Sequence, residues 1–345
     1  MEEKECKIIG WGLAGSIMAW HLYFSNRGFQ IYDSGVNHST RTAAGLVNPI
    51  VFKRLTKSWN ADKLVPYAQL FYQKIEKELN VKLVSQRSIL RIFASVEEEN
   101  NWSSKCGDER FEKYIKPAQN IQLKGVDAPF GVGEVNTFGN LDTKLFLDHS
   151  KAFFEQKGIK FTRNKFDYYD VNESDCFMFC EGVEVKNNFF FNYLPLKPTQ
   201  GETIIIKTKT IDFKDILNKN MFVLPLGNGL FKVGATYNWE MDKPEITLVG
   251  KNELIEKLNR FFKLDFEVVG HEAGIRPTVS DRRPLIGTHP ENENLHIFNG
   301  LGTKGVMIGP YYANHLLQHV FGNAPLEKEV DIARYLKFFS PTNQE

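Results

Sequence analysis

Residues 7–33 constrain this chain more than any other stretch, reading KIIGWGLAGSIMAWHLYFSNRGFQIYD. Lys7 to Ile9 make a short strand, and the apolar run from Ile17 to Leu22 suits a helix packed on a sheet. Gly10, Gly12 and Gly15 between them have the spacing G-x-G-x-x-G, with Leu13 and Ala14 inside the last interval. A second strand, FQIYD, ends at Asp33 and is followed by Ser34. Strand, glycine turn, helix, strand and acid, in that order, form a βαβ unit that binds a dinucleotide. Gly10 permits the tight turn, Gly12 leaves room for a pyrophosphate, and Gly15 lets the helix approach the strand. The helix N-terminus offers free N–H groups and partial positive charge to the phosphates. Asp33 lies 23 residues beyond Gly10, close to the roughly 20 expected of the acid that binds ribose. NAD and FAD both use this unit, so the motif leaves the dinucleotide open.

At 345 residues the chain holds one large or two medium domains. A formal net charge of +1 argues against an electrostatic nucleic-acid binder or a membrane-surface protein. The start, MEEKECKIIG, is acidic and runs straight into a strand, so no signal peptide is expected. No apolar run approaches the roughly 20 residues of a membrane span. Four cysteines make no disulfide framework, and the cytoplasm is the expected location. Cys176 and Cys180, in the strand-like run DCFMFC, read as a structural pair of thiols, since a metal site needs further ligands nearby.

Elsewhere the pattern alternates between two kinds of element. DKLVPYAQLFYQKIEKEL is helical by its spacing, SILRIFAS is a strand, and residues 97–120 read as polar and irregular. NLDTKLFLDHSKAFFEQKGIKF reads as helix then strand, with Asp142 as N-cap. ETIIIKT, MFVLPL and LFKVGATY are strands at hairpin-like spacing, followed by an amphipathic helix in NELIEKLNRFF. NLHIFNG is a strand, after which LGTKG turns into a last helix, VMIGPYYANHLLQHVFG. The small residues Thr42, Ala43, Ala44 and Gly45 either lie flat against a planar ligand or form a simple loop entering a helix.

Taken in order, the fingerprint, AAGLV, CEG closing a strand, PTQGE, PLGNGLFKVGAT, GIRPTVSDRRPLIGTHP and NGLGTKG resemble the D-amino-acid oxidase family nearly end to end. The resemblance is to its glycine oxidase and sarcosine oxidase branch. It implies an α/β fold: a Rossmann-like FAD-binding domain, mostly parallel, and a second α+β domain with a mixed or antiparallel sheet. The expected FAD-binding segments are 1–82, 141–202 and 276–345, and the substrate segments are 83–140 and 203–275. The implied cofactor is FAD. It would be noncovalent, because Thr42 and Gly274 stand where some relatives attach it through histidine or cysteine. Besides the fingerprint residues and Ser34, the resemblance assigns to FAD the stretch Thr42–Gly45, then Phe166, Cys180 and Gly182, then Gly302, Thr303, Lys304, Gly305 and Val306.

The resemblance also gives Arg276, in GIRP, the substrate carboxylate. A planar, permanently charged guanidinium suits that task; the alternative is a structural arginine in an interior ion pair. Arg282 and Arg283 read as loop or inter-domain charges. The N-terminus of the last helix would stabilise negative charge on the reduced flavin. Lys304 either adds a full charge there or faces solvent. Phe222 falls where glycine oxidases use a tyrosine, and a phenyl ring cannot donate to a carboxylate. Either Tyr237 takes over or the substrate is not glycine; both aromatics also read as core. The implied reaction is oxidation of the C–N bond of a small amine or amino acid, with oxygen or a carrier as electron acceptor. Two rivals stand beside it. One is a flavoenzyme acting on the carboxymethylaminomethyl group of a modified tRNA uridine, with Lys53, Arg54 and Lys57 as a local basic patch. The other is a non-catalytic flavin-binding protein.

Overall fold

The structure, a computed structural model, describes residues 4–36, 39–209, 213–240 and 243–341. Residues 1–3 and His38, which open the N-terminal and small-residue stretches, lie outside the described residues. The fold is α/β, with two main sheets facing a shared cavity. The first has six strands in the order Leu285–His289, Asn292–Asn299, Cys176–Phe179, Cys6–Ile9, Phe29–Tyr32 and Phe161–Thr162. Its pairs are parallel except at the Leu285–His289 edge. Cys176–Phe179 is buried at every position, as a central strand covered on both faces must be. Helix Leu13–Phe24 packs on this sheet and against the last helix, Gly305–Gly322, where Ile17 fills the space over Gly309.

The second sheet has seven strands in the order Glu267–Arg276, Thr199–Lys207, Leu230–Gly234, Phe222–Gly227, Ile216–Asn218, Ile89–Ile92 and Val132–Val135. All its pairs are antiparallel except Ile216–Asn218 with Ile89–Ile92. The strand period of two divides its faces. Ile204 and Ile206 pack with Leu254 and Leu258 of helix Leu248–Asn259, whereas Gly201 and Thr203 face the cavity. Thr199–Lys207 runs across the expected boundary at 202/203, and the five-segment division stays a proposal.

Residues 97–120 are not irregular: they carry most of helix Val96–Cys106 and all of Glu109–Glu112. The first is set by its ends, not by a stripe. Ser95 caps it by accepting from the Glu98 N–H at 3.2 Å, and Glu97, Glu98 and Glu99 sit in the positive first turn. A single fully buried side chain, Trp102, anchors it, so there was no apolar periodicity to read. The expected cap at Asp142 is present, with its carboxylate accepting from the Leu145 N–H at 3.0 Å. The thiol pairing differs from the expected one. Cys176 lies in register beside Cys6 on the neighbouring strand, while four strand residues put Cys180 roughly 13 Å further along. Among the described residues no group of three or more His, Cys, Asp or Glu could hold a metal ion, and no helix is long and apolar enough to cross a membrane.

Candidate active site

Segments from both sheets enclose a cavity of about 580 Å³, a size that takes a small-molecule ligand or cofactor. At one end is the fingerprint turn. Gly10 has φ +105°, and a Cβ on it would lie 2.6 Å from the Cys180 carbonyl oxygen. A Cβ on Gly15 would lie 1.9 Å from the Gly10 oxygen, so the helix is pressed onto the turn. Gly12 differs from both: a Cβ there meets only Thr40 Oγ1, at 3.4 Å, and Gly12 borders the cavity. The chain leaves that space free. Helix Leu13–Phe24 has no side-chain cap on its first N–H groups, though the Thr40 hydroxyl accepts from the Leu13 N–H at 2.9 Å. Asp33 sits over the turn, accepting from the Trp11 N–H at 3.3 Å.

Beyond Asp33 the cavity is lined by Phe166, Tyr168 and Glu181. Glu181 accepts from Tyr168 Oη at 2.9 Å and Asn188 Nδ2 at 2.6 Å, and burial pushes its carboxyl above the ordinary value. The opposite wall is the short turn Ser39–Thr42 with Ala43, Ala44 and Gly45. Strand Glu267–Arg276 holds that turn in place. Thr42 Oγ1 donates to the Ala273 oxygen at 3.0 Å, and Ser39 Oγ donates to the Ile275 oxygen. Lys232 Nζ donates to the Thr42 oxygen at 2.9 Å while pairing with Glu272 at 2.8 Å. A Cβ on Gly274 would stand 3.1 Å from Ser39 Cα, so turn and strand meet backbone to backbone.

Arg276 ends this strand, and its guanidinium folds over Gly201 of the neighbouring strand. A Cβ on Gly201 would lie only 1.9 Å from Arg276 Nη2. The protein contacts of the guanidinium are long: Nη1 to the Gln200 oxygen at 3.4 Å, Nη1 and Nη2 to the Thr236 oxygen at 3.5 Å, and the Tyr237 ring at 4.6 Å. Burial lowers its pKa from the ordinary value, and no described carboxylate pairs with it. The interior ion pair considered for it is absent among the described residues. Tyr237 is 62% exposed and lies at the cavity rim, so it is not core. Phe222 is partly buried, lines the cavity and packs against the main core.

The third wall is the turn Gly302–Lys304 and the start of helix Gly305–Gly322, again without a side-chain cap. Lys304 does not face solvent. Its ammonium turns inward, donating to the Asn48 oxygen at 2.8 Å and to Ser58 Oγ. Burial, aided by the Arg282 charge, pushes its pKa down to about 8.

One cavity thus brings together Arg276, Tyr237 and Phe222 with every residue assigned to FAD except Gly15, which lies behind the turn. Sequence reasoning missed Thr40, Asn48 and Phe52, which carry no motif of their own, and Gly201 and Glu181, which stood inside PTQGE and CEG without a role of their own. Arg282 was read as a loop or inter-domain charge, yet it lines the cavity. Arg283 does fit the inter-segment reading, with its guanidinium 4.3 Å from the Trp59 ring centre. Two uncapped helix N-termini, the open face of Gly12 and Asp33 over the turn suit a dinucleotide's pyrophosphate and ribose.

Comparison with known proteins agrees with this geometry. Residues 6–318 match the DAO family, described as FAD dependent oxidoreductase. Glycine oxidase of Bacillus subtilis is 22% identical over 345 residues, covering 89% of this chain and 90% of that protein. The tRNA 5-methylaminomethyl-2-thiouridine biosynthesis bifunctional protein MnmC of Acinetobacter baylyi is 23% identical over 375 residues, covering 97% of this chain but 56% of that protein. Matches to three other curated relatives span only 32%, 36% and 52% of their lengths. Among solved structures, glycine oxidase from Geobacillus kaustophilus superposes with a TM-score of 0.80 at 14% identity, over 96% of this chain and 98% of that one. With the family match spanning nearly the whole chain and the cavity built for a dinucleotide, the protein belongs to the DAO family of FAD-dependent oxidoreductases.

Proposed function

We propose that this enzyme oxidises the C–N bond of a small amine that carries a carboxylate. The observation that carries the proposal is Arg276, a guanidinium largely withdrawn from water, set beside the cavity with no acid paired to it among the described residues. A desolvated charge without a counter-ion is costly, and a bound carboxylate would complete it bidentately. Tyr237, with its ring centre 4.6 Å from the guanidinium carbon, helps hold that group in place at the cavity rim. FAD, when bound, would supply the two-electron oxidant for loss of hydride from the carbon next to nitrogen, and the resulting imine would hydrolyse. The chain's part is to orient the amine and exclude water. The uncapped start of helix Gly305–Gly322 favours negative charge at its end of the cavity. No side chain is required as a base if the amine binds neutral. FAD is held noncovalently in this reading, with oxygen or a carrier as the acceptor.

The test is anaerobic flavin reduction by an amino acid and by its decarboxylated amine, in the wild type and in Arg276→Lys. The variant keeps the charge but loses the fork, so reduction by the amino acid should slow about a hundredfold. The decarboxylated amine should be little affected and FAD content unchanged. Equal losses on both substrates would make Arg276 structural.

A second reading takes the same carboxylate from a carboxymethylaminomethyl group on tRNA uridine. It is supported by the match to the bifunctional tRNA-modifying protein and by exposed residues next in sequence to the cavity lining, Lys53 and Arg54 after Phe52 and Trp239 two residues after the exposed Tyr237. Basic side chains with exposed aromatics suit single-stranded RNA. Tight, salt-sensitive tRNA binding would favour it. Failure of every amine to bleach the flavin would leave a non-catalytic binding protein.

A further inference from the structure

Arg282 has φ +57°, a left-handed conformation that glycine adopts freely and arginine only at a cost. The flanking side chains explain how the turn is held. Asp281 accepts from Arg334 Nε at 3.0 Å, Tyr335 Oη at 2.8 Å and the Arg283 N–H at 2.9 Å. Arg283 lies on Trp59, with Nε 3.5 Å from Glu329 Oε1. Both neighbours are therefore tied to other segments, and the turn between them presents Arg282 to the cavity. Among the described residues no carboxylate pairs with the Arg282 side chain, since the adjacent acid is already engaged by Arg334.

Lys304 borders the same cavity and rests only on neutral acceptors, the Asn48 oxygen and Ser58 Oγ. Burial and the nearby Arg282 charge both disfavour its protonated form. The acids that line the cavity are Asp33, Glu181 and Glu184, all on the segments that hold the fingerprint turn and the end of strand Cys176–Phe179. Arg276, Arg282 and Lys304 thus all line the cavity, and none has a carboxylate partner among the described residues. One carboxylate at Arg276 leaves two cations uncompensated. Strain kept at a binding site, together with unpaired charge beside it, marks a place where a ligand supplies what the protein omits.

We propose that the substrate is a diacid amine, whose second carboxylate is received by Arg282 and Lys304 while the first is held by Arg276. This rests on the reading of Arg276 as the site of the first carboxylate.

The experiment uses the FAD-loaded protein and inert acids, so it does not depend on turnover. Acetate, propionate and butyrate are compared by calorimetry with malonate, succinate and glutarate, in the wild type, Arg282→Gly and Arg276→Lys. At least one diacid should bind the wild type about tenfold more tightly than the monoacid left when one of its carboxylates is removed. Arg282→Gly should abolish that gain, leave monoacid affinity and FAD content unchanged, and melt no lower, because glycine relieves the left-handed strain. Arg276→Lys should weaken both series. Equal affinity for both series in the wild type, a gain that survives Arg282→Gly, or loss of FAD from that variant would each overturn the proposal. So would an anticodon stem–loop RNA that displaces succinate only when Arg282 is present, because the second anion would then be a phosphate. If no monoacid binds, or Arg276→Lys leaves monoacids unaffected, the parent reading fails instead.

Discussion

Gly201→Ala isolates the position of Arg276 from its charge. Gly201 lies in a strand and needs no special backbone conformation, so alanine suits the sheet. Its new Cβ, however, would lie 1.9 Å from Arg276 Nη2, 2.3 Å from Cζ and 2.6 Å from Nη1. Ordinary contact begins at 3.4 Å, so the guanidinium must retreat by about 1.5 Å. It can do so cheaply, being the far end of a flexible side chain, and melting temperature and FAD content should be unchanged. The substrate cannot follow at no cost, because its carboxylate is tied to the guanidinium and its reacting carbon must stay aligned. A misplacement of about 1 Å costs on the order of a hundredfold in rate, or about 2.7 kcal/mol of transition-state stabilisation. Stopped-flow reduction with a carboxylated amine and its decarboxylated partner should therefore show a loss of about a hundredfold for the first only. In an Arg276→Ala background the same substitution should add nothing, since the clash and the anchor vanish together. Wild-type reduction of the carboxylated amine by Gly201→Ala, or equal loss on both amines, would refute the reasoning.

Gly12→Val should fold normally yet purify without FAD, because the chain itself leaves that space free, whereas Gly15→Ala should lose on the order of 1–3 kcal/mol of stability from its clash with the Gly10 oxygen; denaturation curves and absorbance separate the two. Asp33→Ala should weaken FAD by about 1.5–3 kcal/mol without abolishing binding, and an unchanged dissociation constant would remove Asp33 from the ribose site. Acid or heat should release the flavin intact, and flavin that precipitates with the polypeptide would contradict noncovalent attachment. Lys304 gives up its proton at about pH 8 instead of its ordinary 10.5. Diacid inhibitors should therefore bind less tightly as pH rises through that value while monoacids do not, and Lys304→Met should flatten the step in a titration of diacid affinity.

Some of this molecule is written locally. Gly10, Gly12, Gly15 and Asp33 work within one βαβ unit, where spacing along the chain is spacing in space, so their placement followed from the sequence. Helices with an apolar stripe, such as Ala61–Leu79, were legible for the same reason. Helix Val96–Cys106 was not, because a serine cap, three acids and one tryptophan form it without a stripe. Strand Glu267–Arg276 also escaped notice: HEAG interrupts its alternation with charge and glycine. Those residues are explained only by what lies across from them, Lys232 against Glu272 and the Ser39 backbone against Gly274.

The candidate site follows the same division. That Arg276 is planar, permanently charged and suited to a carboxylate is a property of the residue. That it lies over Gly201, with no acid partner among the described residues, depends on the register of two strands distant in sequence, which sets Thr199 opposite Arg276. Lys304 turned inward because Asn48 and Ser58, far from it in the chain, offer acceptors there. Arg282 and Arg283 are adjacent and chemically identical, yet one lines the cavity and the other lies on Trp59. Sequence alone determined the dinucleotide fold, because its turn and phosphate-binding chemistry are set by neighbours along one short unit. Tertiary structure alone decided which cations face the substrate, because a charge's role depends on the counter-ions around it, and those come from distant segments.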